Sequence, residues 1–507
     1  MSESPPSSSP ESGALPLKGK IVSGSIWMIA MRWTMRFLGI VNVGILARLL
    51  EQEDFGLVAM ASAVMALPVM LLDMGFENAL IRDRSASKDD YNTAWTLRVL
   101  QMGFVAVLIF FTAPYIAGYY GDPRVEDICR MLSASILVQG LQNMWVVSFR
   151  KDFKFHADFL FNVSKKLLTT IVTIIFAFAL QTYWALVYGQ LTGVVIELLL
   201  SLLVVGQLPR PTLKAWRKLW GFARWNMAGS VAIYVYYNSD KLILGHFLPA
   251  SLVGIFTVGR EISDMPINEI SAPLNRALGP GFAELQPYPE RYASAVKKTW
   301  GAVATIVLPV SIGIAATASQ IVPVLLGPNW EEAIPIIQLL SLSGILATLD
   351  GILTNILIVS GYVAFSAVRA WIRAVVVLLI AIPAVIHFGI FGMAAAQFLS
   401  SGSGLIPSLR YISKKTPGLT ALSVVAGAVR PVCASIVMAL CVLAWNWSDI
   451  EAPVLLLLCK VVTGAASYSL VLLGLWRMDG KPDTIERTVL NLGRSLLQRV
   501  PFLQRAG

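Results

Sequence analysis

The 507-residue chain is 56% hydrophobic and 14% charged, with 40 Lys and Arg against 30 Asp and Glu, for a formal net charge of +10. Apolar windows of about twenty residues recur from one end to the other, each able to span a hydrocarbon core of about 30 Å, and most lack the polar face that a buried helix of a soluble protein would show. This composition excludes a large soluble protein and a solvated basic nucleic-acid-binding domain; the expected fold class is an all-α polytopic membrane protein.

The chain opens on "MSESPPSSSPESG", a Ser/Pro-rich stretch read as the disordered cytoplasmic tail of residues 1–20. It lacks the charged region, short apolar core and cleavage site of a signal peptide. Spans are predicted near Ser23–Ala47, Phe55–Met74, Thr93–Ala117, Ile128–Ser148, Ala157–Leu180 and Trp184–Gly206. A second set follows near Ala223–Phe247, Leu252–Leu274, Ala295–Ile314, Ile336–Val359, Ala364–Ile386 and Phe391–Tyr411. A last pair covers Leu422–Ala444 and Val454–Trp476, making about fourteen transmembrane helices at the usual window length. The ninth span continues into "SQIVPVLLG", read either as an interfacial turn or as the end of a long broken helix.

Alternate loops carry the basic residues: Lys18 and Lys20; Arg82, Arg84 and Lys88; Arg150, Lys151 and Lys154; Arg210, Lys214, Arg217 and Lys218; Arg291, Lys297 and Lys298; Lys414 and Lys415. The other loops, such as "LEQED", "GDPRVED" and "NWSDIE", are short and acidic or neutral. Lys and Arg accumulate on the cytoplasmic side, so both termini are expected there. The tail "IERTVLNLGRSLLQRV" puts Ile485, Val489, Leu492 and Leu496 on one helical face, as a helix lying on an anionic leaflet would, with a partner-binding helix as the alternative.

Residues 25–80 align without gaps on 223–278, an offset of 198 that pairs Gly56 with Gly254, Pro68 with Pro266 and Ala79-Leu80 with Ala277-Leu278. Leu46 also meets Leu244, Ile45 meets Ile243, and Asn42 falls on Asp240. Each pair occupies the same point of a helix–short outer turn–helix unit. Six helices separate the copies, which describes two parallel-related six-helix lobes of the kind transporters use. The expected organisation is an N-terminal lobe over 21–207, a cytoplasmic basic linker over 208–220 and a C-terminal lobe over 221–412. An additional helix pair over 413–476 and a cytoplasmic amphipathic tail over 477–507 complete it.

Within "MRWTMRFLGIVNVGILARLL", Arg32 and Arg36 lie one turn apart on one helical face, inside an otherwise apolar span. A centrally placed arginine costs roughly 2.5–3.5 kcal/mol on insertion scales, so a bundle interior or aqueous cavity is the default expectation for it. Other ionisable residues within spans are Arg98, Lys165, Lys166, Glu197, Asp240, Lys241, Arg260, Glu261, Asp264, Glu269, Asp350, Arg369, Arg373, Arg430 and Lys460. Those near span ends, such as Lys165, Lys166 and Arg430, can snorkel to the interface, whereas Arg36, Arg260 and Lys460 lie near mid-span. Arginine offers a rigid fork of donors suited to phosphate, and a lipid-linked diphosphate is the ligand that such buried guanidiniums fit. The candidate substrate-binding residues are therefore Arg32, Arg36, Arg260 and Arg98. Glu261 and Asp264, one turn from Arg260, and Asp240 are read either as charge-balancing partners or as an ion-coupling site. Trp33, Trp225, Tyr234, Tyr236 and Tyr237 are candidates for stacking on sugars, against the commoner roles of packing and interface anchoring. Four cysteines and three histidines show no ligand spacing, so no metal site, catalytic residue or cofactor is expected. Coupling to a proton, to sodium or to the membrane potential stays open at this point.

The segments "GILARLLEQEDFGLVAM", "DMGFENALI", "YNSDKLILGHFLPASLVGIF" and "LNRALGPGFAEL" resemble bacterial polysaccharide transporters. These are the O-antigen and exopolysaccharide flippases of the multidrug/oligosaccharidyl-lipid/polysaccharide exporter superfamily. The resemblance spans roughly residues 20–480. It implies two V-shaped lobes around a cationic cavity, a helix pair able to form a lipid-tail groove, and translocation of undecaprenyl-diphosphate-linked oligosaccharide across the bacterial inner membrane. By position it gives Arg32 or Arg36, together with Arg260, the role of contacting the substrate. Membrane lipids, a polysaccharide polymerase and chain-length machinery are the partners it implies. A drug/cation antiporter or a lipid II flippase of the same superfamily is the alternative, though organic cations favour acidic and aromatic cavities. A membrane polysaccharide polymerase would need a substantial outer domain, and each predicted outer loop is short.

Overall fold

The computed structural model describes residues 17–71, 76–83, 85–152, 154–216, 234–444, 452–480 and 486–487, and its regular structure there is helical. In chain order the helices are α1 (Leu17–Leu49), α2 (Gln52–Leu71), α3 (Phe76–Arg82), α4 (Lys88–Tyr120), α5 (Arg124–Gly140), α6 (Ser148–Lys151), α7 (Phe155–Leu180) and α8 (Trp184–Val205). They continue with α9 (residues 234–247), α10 (Ala250–Leu285), α11 (Pro289–Leu325), α12 (Ala333–Val359), α13 (Val363–Lys415), α14 (Ala421–Ala426), α15 (Val429–Ala444) and α16 (Pro453–Met478). The first part of the seventh predicted span, Trp225, Arg84, Arg217, Lys218, and the tail face of Ile485, Val489, Leu492 and Leu496 lie outside the described residues.

Among the described residues nine helices are long and apolar enough to cross a membrane. The remaining predicted spans correspond to α5, α9, α10, α15 and the second arm of α13. Charged positions at Arg260, Glu261, Asp264 and Glu269 hold α10 below an apolar threshold despite its 36 residues. α13 is two helices meeting at Gly389, whose φ of 57° and ψ of −137° interrupt the helix between the eleventh and twelfth predicted spans. Such a positive φ suits a residue without a Cβ. Two expectations change in detail. The fourth span, expected over Ile128–Ser148, ends as a helix at Gly140, and a 3₁₀ turn over Met144–Val147 follows. There the Asn143 side chain accepts from Trp145 N at 3.0 Å and Asn143 Nδ2 donates to Gln207 O at 2.7 Å, drawing the chain out of the helix. "SQIVPVLLG" is the end of a long helix: α11 runs 37 residues through Pro309 and Pro323 to Leu325.

The chain forms two compact units: residues 1–49, 72–113 and 127–228, and residues 50–71, 114–126 and 229–507. Large apolar side chains stand open on both, including Phe111 at 71%, Leu203 at 78% and Leu422 at 80% exposure, as lipid-facing surfaces require. Lipid is as apolar as leucine, so close packing and small residues hold membrane helices together. In the first unit α7 and α8 meet at Gly189 and Gly193, where an added Cβ would lie 2.7 Å from Thr173 Cγ2 and 2.8 Å from Thr169 Cγ2. A smaller cluster there places Tyr91 flat on Trp145, ring centroids 4.1 Å apart, beside buried Phe76, Leu80 and Met144.

In the second unit one core cluster gathers Trp300, Val303 and Val307 of α11 with Leu349, Leu353 and Ile356 of α12. Its other seam joins α2 to α10. A Cβ on Gly56 would overlap the Ala250 carbonyl and lie 3.0 Å from Gly254 N; a Cβ on Gly254 would overlap the Gln52 carbonyl and lie 3.0 Å from Gly56 N. The offset of 198 that pairs Gly56 with Gly254 also pairs Gln52 with Ala250. Repeat-related residues therefore meet each other across a local two-fold, which is how two copies of one helical unit pack face to face. Beside this seam the Asp122 carboxylate, in the turn before α5, lies below its usual range because Arg124 hydrogen-bonds it, its Nε at 3.0 Å.

Candidate functional site

Helices α9, α10, α12 and α13 of the second unit enclose a cavity of about 450 Å³ whose wall includes Tyr236, Tyr237, Arg260, Asp264, Arg369, Arg373 and Gln397. Each element supplies polar groups for a local reason. On α10, Arg260 and Asp264 stand one turn apart, and Arg260 Nε donates to Asp264 Oδ2 at 3.3 Å. Arg260 Nη1 reaches across to α9 and donates to Asp240 Oδ2 at 2.6 Å. Asp240 is fully buried, while the Asp264 side chain keeps 40% of its exposure. A buried carboxylate without such a partner would neutralise or unfold the site.

The second group is built on α12 and α13. Asp350 is fully buried and accepts at one oxygen, Oδ2, from both Arg369 Nη1 and Arg373 Nη1, the latter at 3.0 Å. Ser408 Oγ donates to the other oxygen, Oδ1, at 3.0 Å. Arg369 and Arg373 occupy the same helical face, and like charges at that spacing repel unless a counter-ion lies between them. Here one carboxylate serves two guanidiniums, so this group keeps one formal positive charge. The guanidinium carbon of Arg373 lies 4.0 Å from the centroid of the Tyr236 ring, in cation–π range. Arg369 Nε, Arg373 Nε and Nη2, Gln397 Nε2 and Thr348 Oγ1 have no hydrogen-bond partner among the described residues. A buried donor left unpaired costs about 1–3 kcal/mol. These donors lie just beneath the cavity surface, so a ligand rich in acceptor oxygens removes that cost once the side chains turn toward it, and phosphate matches the guanidinium fork. Across the cavity, Arg260 carries two carboxylates. Donors thus concentrate on the α13 wall.

The structure sorts the residues expected from sequence. Arg260 and Asp264 line this cavity, and Asp240 lies fully buried behind them as the partner of Arg260. Glu261 does not pair with Arg260: it is exposed on another face of α10, one residue along and so about 100° around the helix. The partner that sequence spacing could not supply is Asp240, twenty residues away on α9. Arg98 lies in the first unit on a separate polar pocket of about 110 Å³, donating to Glu77 Oε1 at 3.3 Å and to Gln142 Oε1 at 3.2 Å. Lys165 pairs with Glu197 at 2.7 Å in that pocket. Arg32 and Arg36 are half-buried on α1 of the first unit, and each makes a polar or electrostatic contact. Of the aromatics, Tyr234 is buried and donates to Ala63 O at 2.7 Å, a packing role. Tyr236 and Tyr237 line the cavity, and Trp33 stands 66% exposed on α1. The Asp350–Arg369–Arg373 group was not among the expected substrate residues. Its signal was present as two arginines four apart inside a span, the pattern that singled out Arg32 and Arg36.

The family model described as "Polysaccharide biosynthesis protein" matches residues 45–335. Among curated relatives, the lipopolysaccharide biosynthesis protein WzxC of Escherichia coli (strain K12) is 24% identical over 69% of this chain and 72% of its own length. The succinoglycan biosynthesis transport protein ExoT of Rhizobium meliloti (strain 1021) is 22% identical over 62% of this chain and 65% of its own. Among solved structures, the lipid II flippase MurJ superposes with a TM-score of 0.71 at 12% identity, covering 90% of this chain and 99% of that one. A multidrug resistance MATE family transporter of the MOP superfamily superposes with a TM-score of 0.54 at 14% identity, over 79% of this chain and all of that one. These structural likenesses establish the fold.

Proposed function

Because the chain belongs to the polysaccharide biosynthesis protein family, we propose that it is a flippase for undecaprenyl-diphosphate-linked oligosaccharide, acting in exopolysaccharide, capsule or O-antigen synthesis. It works as a carrier rather than an enzyme, in the bacterial inner membrane, with both termini cytoplasmic as the loop charges indicate. The observation that carries this reading is the pair of buried arginines sharing one carboxylate on a cavity wall, with guanidinium donors still lacking acceptors. Relatives named for lipopolysaccharide biosynthesis and succinoglycan transport support the substrate class.

In this mechanism the cavity first opens to the cytoplasm and Arg373 and Arg260 take the diphosphate oxygens, while Tyr236 and Tyr237 lie beside the sugar. Arg32 and Arg36 of α1 also contact the substrate. The prenyl tail stays in lipid, the protein changes its access, and the glycolipid leaves outward. An inside-negative potential favours that direction: two net negative charges moving outward across 100 mV release on the order of 4.6 kcal/mol. If the arginines neutralise the head, the field acts on the empty return instead, so voltage helps without a coupled ion.

The test is flipping of labelled lipid-linked oligosaccharide in liposomes. Arg373→Gln leaves Arg369 and Asp350 as a balanced pair, so the variant folds; its rate is expected to fall at least about tenfold, as loss of a charged hydrogen bond of about 1.5–3 kcal/mol dictates. Arg260→Gln and Arg36→Gln are expected to slow flipping as well. Normal rates with all three would discard the arginine site. A second reading, an organic-cation antiporter, draws on the half-exposed Asp264. Binding competition separates the two: a polyprenyl-diphosphate sugar should bind and ethidium-like cations should not.

A further inference from the structure

A second cavity of about 400 Å³ lies in the same unit between α11 and the last two helices, and its wall is almost wholly apolar. Gly313 on α11 and Gly464 on α16 hollow it out, and Met438 and Val442 of α15 form one side. One polar feature breaks the pattern. Lys460 lines the cavity at 8% exposure, and no hydrogen bond or ion pair forms at its ammonium among the described residues. The other polar groups of the wall are already engaged: Tyr468 OH donates to Thr305 O at 2.6 Å, Thr317 Oγ1 to Gly313 O at 2.7 Å and Ser469 Oγ to Ala465 O at 2.7 Å. A lone ammonium in hydrocarbon is costly and is kept for a counter-charge. None of the residues that bind the proposed cargo supplies one here.

The groove has the polarity of a lipid. Lys460 stands about two turns from the start of α16 at Pro453, and Ser469, farther along the lining, lies about 13 Å down the helix axis. The cation is thus at one end, nearer the α16 N-terminus than the mid-span position expected from hydropathy, and the apolar body extends toward mid-membrane. Leu458, Val461 and Val462 on α16 are 53–66% exposed, so the surrounding surface faces acyl chains. A carrier tail whose diphosphate is held by Arg260 and Arg373 would bring hydrocarbon to this groove and leave Lys460 uncompensated.

We propose that this groove binds an anionic phospholipid, its phosphate on Lys460 and one acyl chain along Gly313 and Gly464. By loop charge the α16 N-terminus faces outward, so the lipid comes from the outer leaflet of that membrane. The experiment is native mass spectrometry of the full chain, delipidated in detergent and titrated with phosphatidylglycerol or, separately, phosphatidylcholine. The wild type should retain phosphatidylglycerol at least about tenfold better. Lys460→Gln should remove that preference and Lys460→Arg should keep it. Gly313→Leu, at a position where an added Cβ meets only Met438 Cε at 3.9 Å, fills the hollow and should weaken both lipids. Size-exclusion profiles establish that each variant is folded. Equal retention of the two lipids by the wild type, or an unchanged preference in Lys460→Gln, overturns the proposal. So does displacement of phosphatidylglycerol by a polyprenyl diphosphate equally well in wild type and Lys460→Gln, which would make the groove a tail site.

Discussion

Asp350→Asn is expected to destabilise the protein by about 3–5 kcal/mol, because it strands two buried guanidiniums on an uncharged group. Asp350 has no exposure, Arg369 has 5% and Arg373 has 12%, so cavity water can replace only a small part of what the carboxylate supplies. Asparagine retains one acceptor oxygen, but its amide adds two donors to a site already rich in them. The measurement is thermal unfolding of the purified protein in detergent. Adding Arg369→Met to Asp350→Asn should recover part of the loss, since it removes one of the two uncompensated charges; neighbours of this kind couple by about 0.5–3 kcal/mol. Arg373→Gln should barely change unfolding while slowing transport, which separates the structural carboxylate from the substrate-facing arginine. An Asp350→Asn protein as stable as the wild type would mean that the shared ion pair does not hold α12 to α13.

The second large effect concerns the seam between the two repeat copies. Gly56→Val and Gly254→Val are each expected to lower stability by about 1–3 kcal/mol or more, the range for overpacking a filled interface. What an added carbon meets here is backbone, the carbonyls of Ala250 and Gln52, and backbone cannot rotate away as a side chain can. The whole of α2 or α10 must shift. Because the two glycines face each other, the double variant should lose less than the sum of the singles: once the first substitution has parted the helices, the second adds little. Gly39→Val, at a glycine of α1 with open space around it, is the control and should be near neutral. Unfolding temperatures of the four proteins decide the matter. Wild-type stability in both single variants would refute the close approach.

The limits of sequence reading are visible in particular residues. Within its own helix Arg260 could be paired by spacing with Asp264 and not with adjacent Glu261, since residues three or four apart on one helix are the neighbours a linear pattern reveals. Its closer partner, Asp240, depends on how α9 and α10 cross. Arg369 and Arg373 satisfied the same spacing rule as Arg32 and Arg36. Their importance became evident when Asp350, on a different helix, proved to serve both. Arg98, chosen for lying within a span, turned out paired in a small pocket of its own. The fourth helix is shorter than hydropathy predicts because apolarity continues past Gly140, while the hydrogen bonds of Asn143 that end the helix involve residues more than fifty positions away.

The membrane fold was settled by composition alone, since a bilayer admits only chains whose backbone polar groups are satisfied internally, and runs of twenty apolar residues leave no other option than helices. The repeat was legible too, because the helical units that pack together preserve small residues at the same register. Which buried charges meet was decided only by tertiary structure. An ion pair is a matter of a few ångströms between side chains of different helices, and neither hydropathy nor spacing within one helix carries that distance.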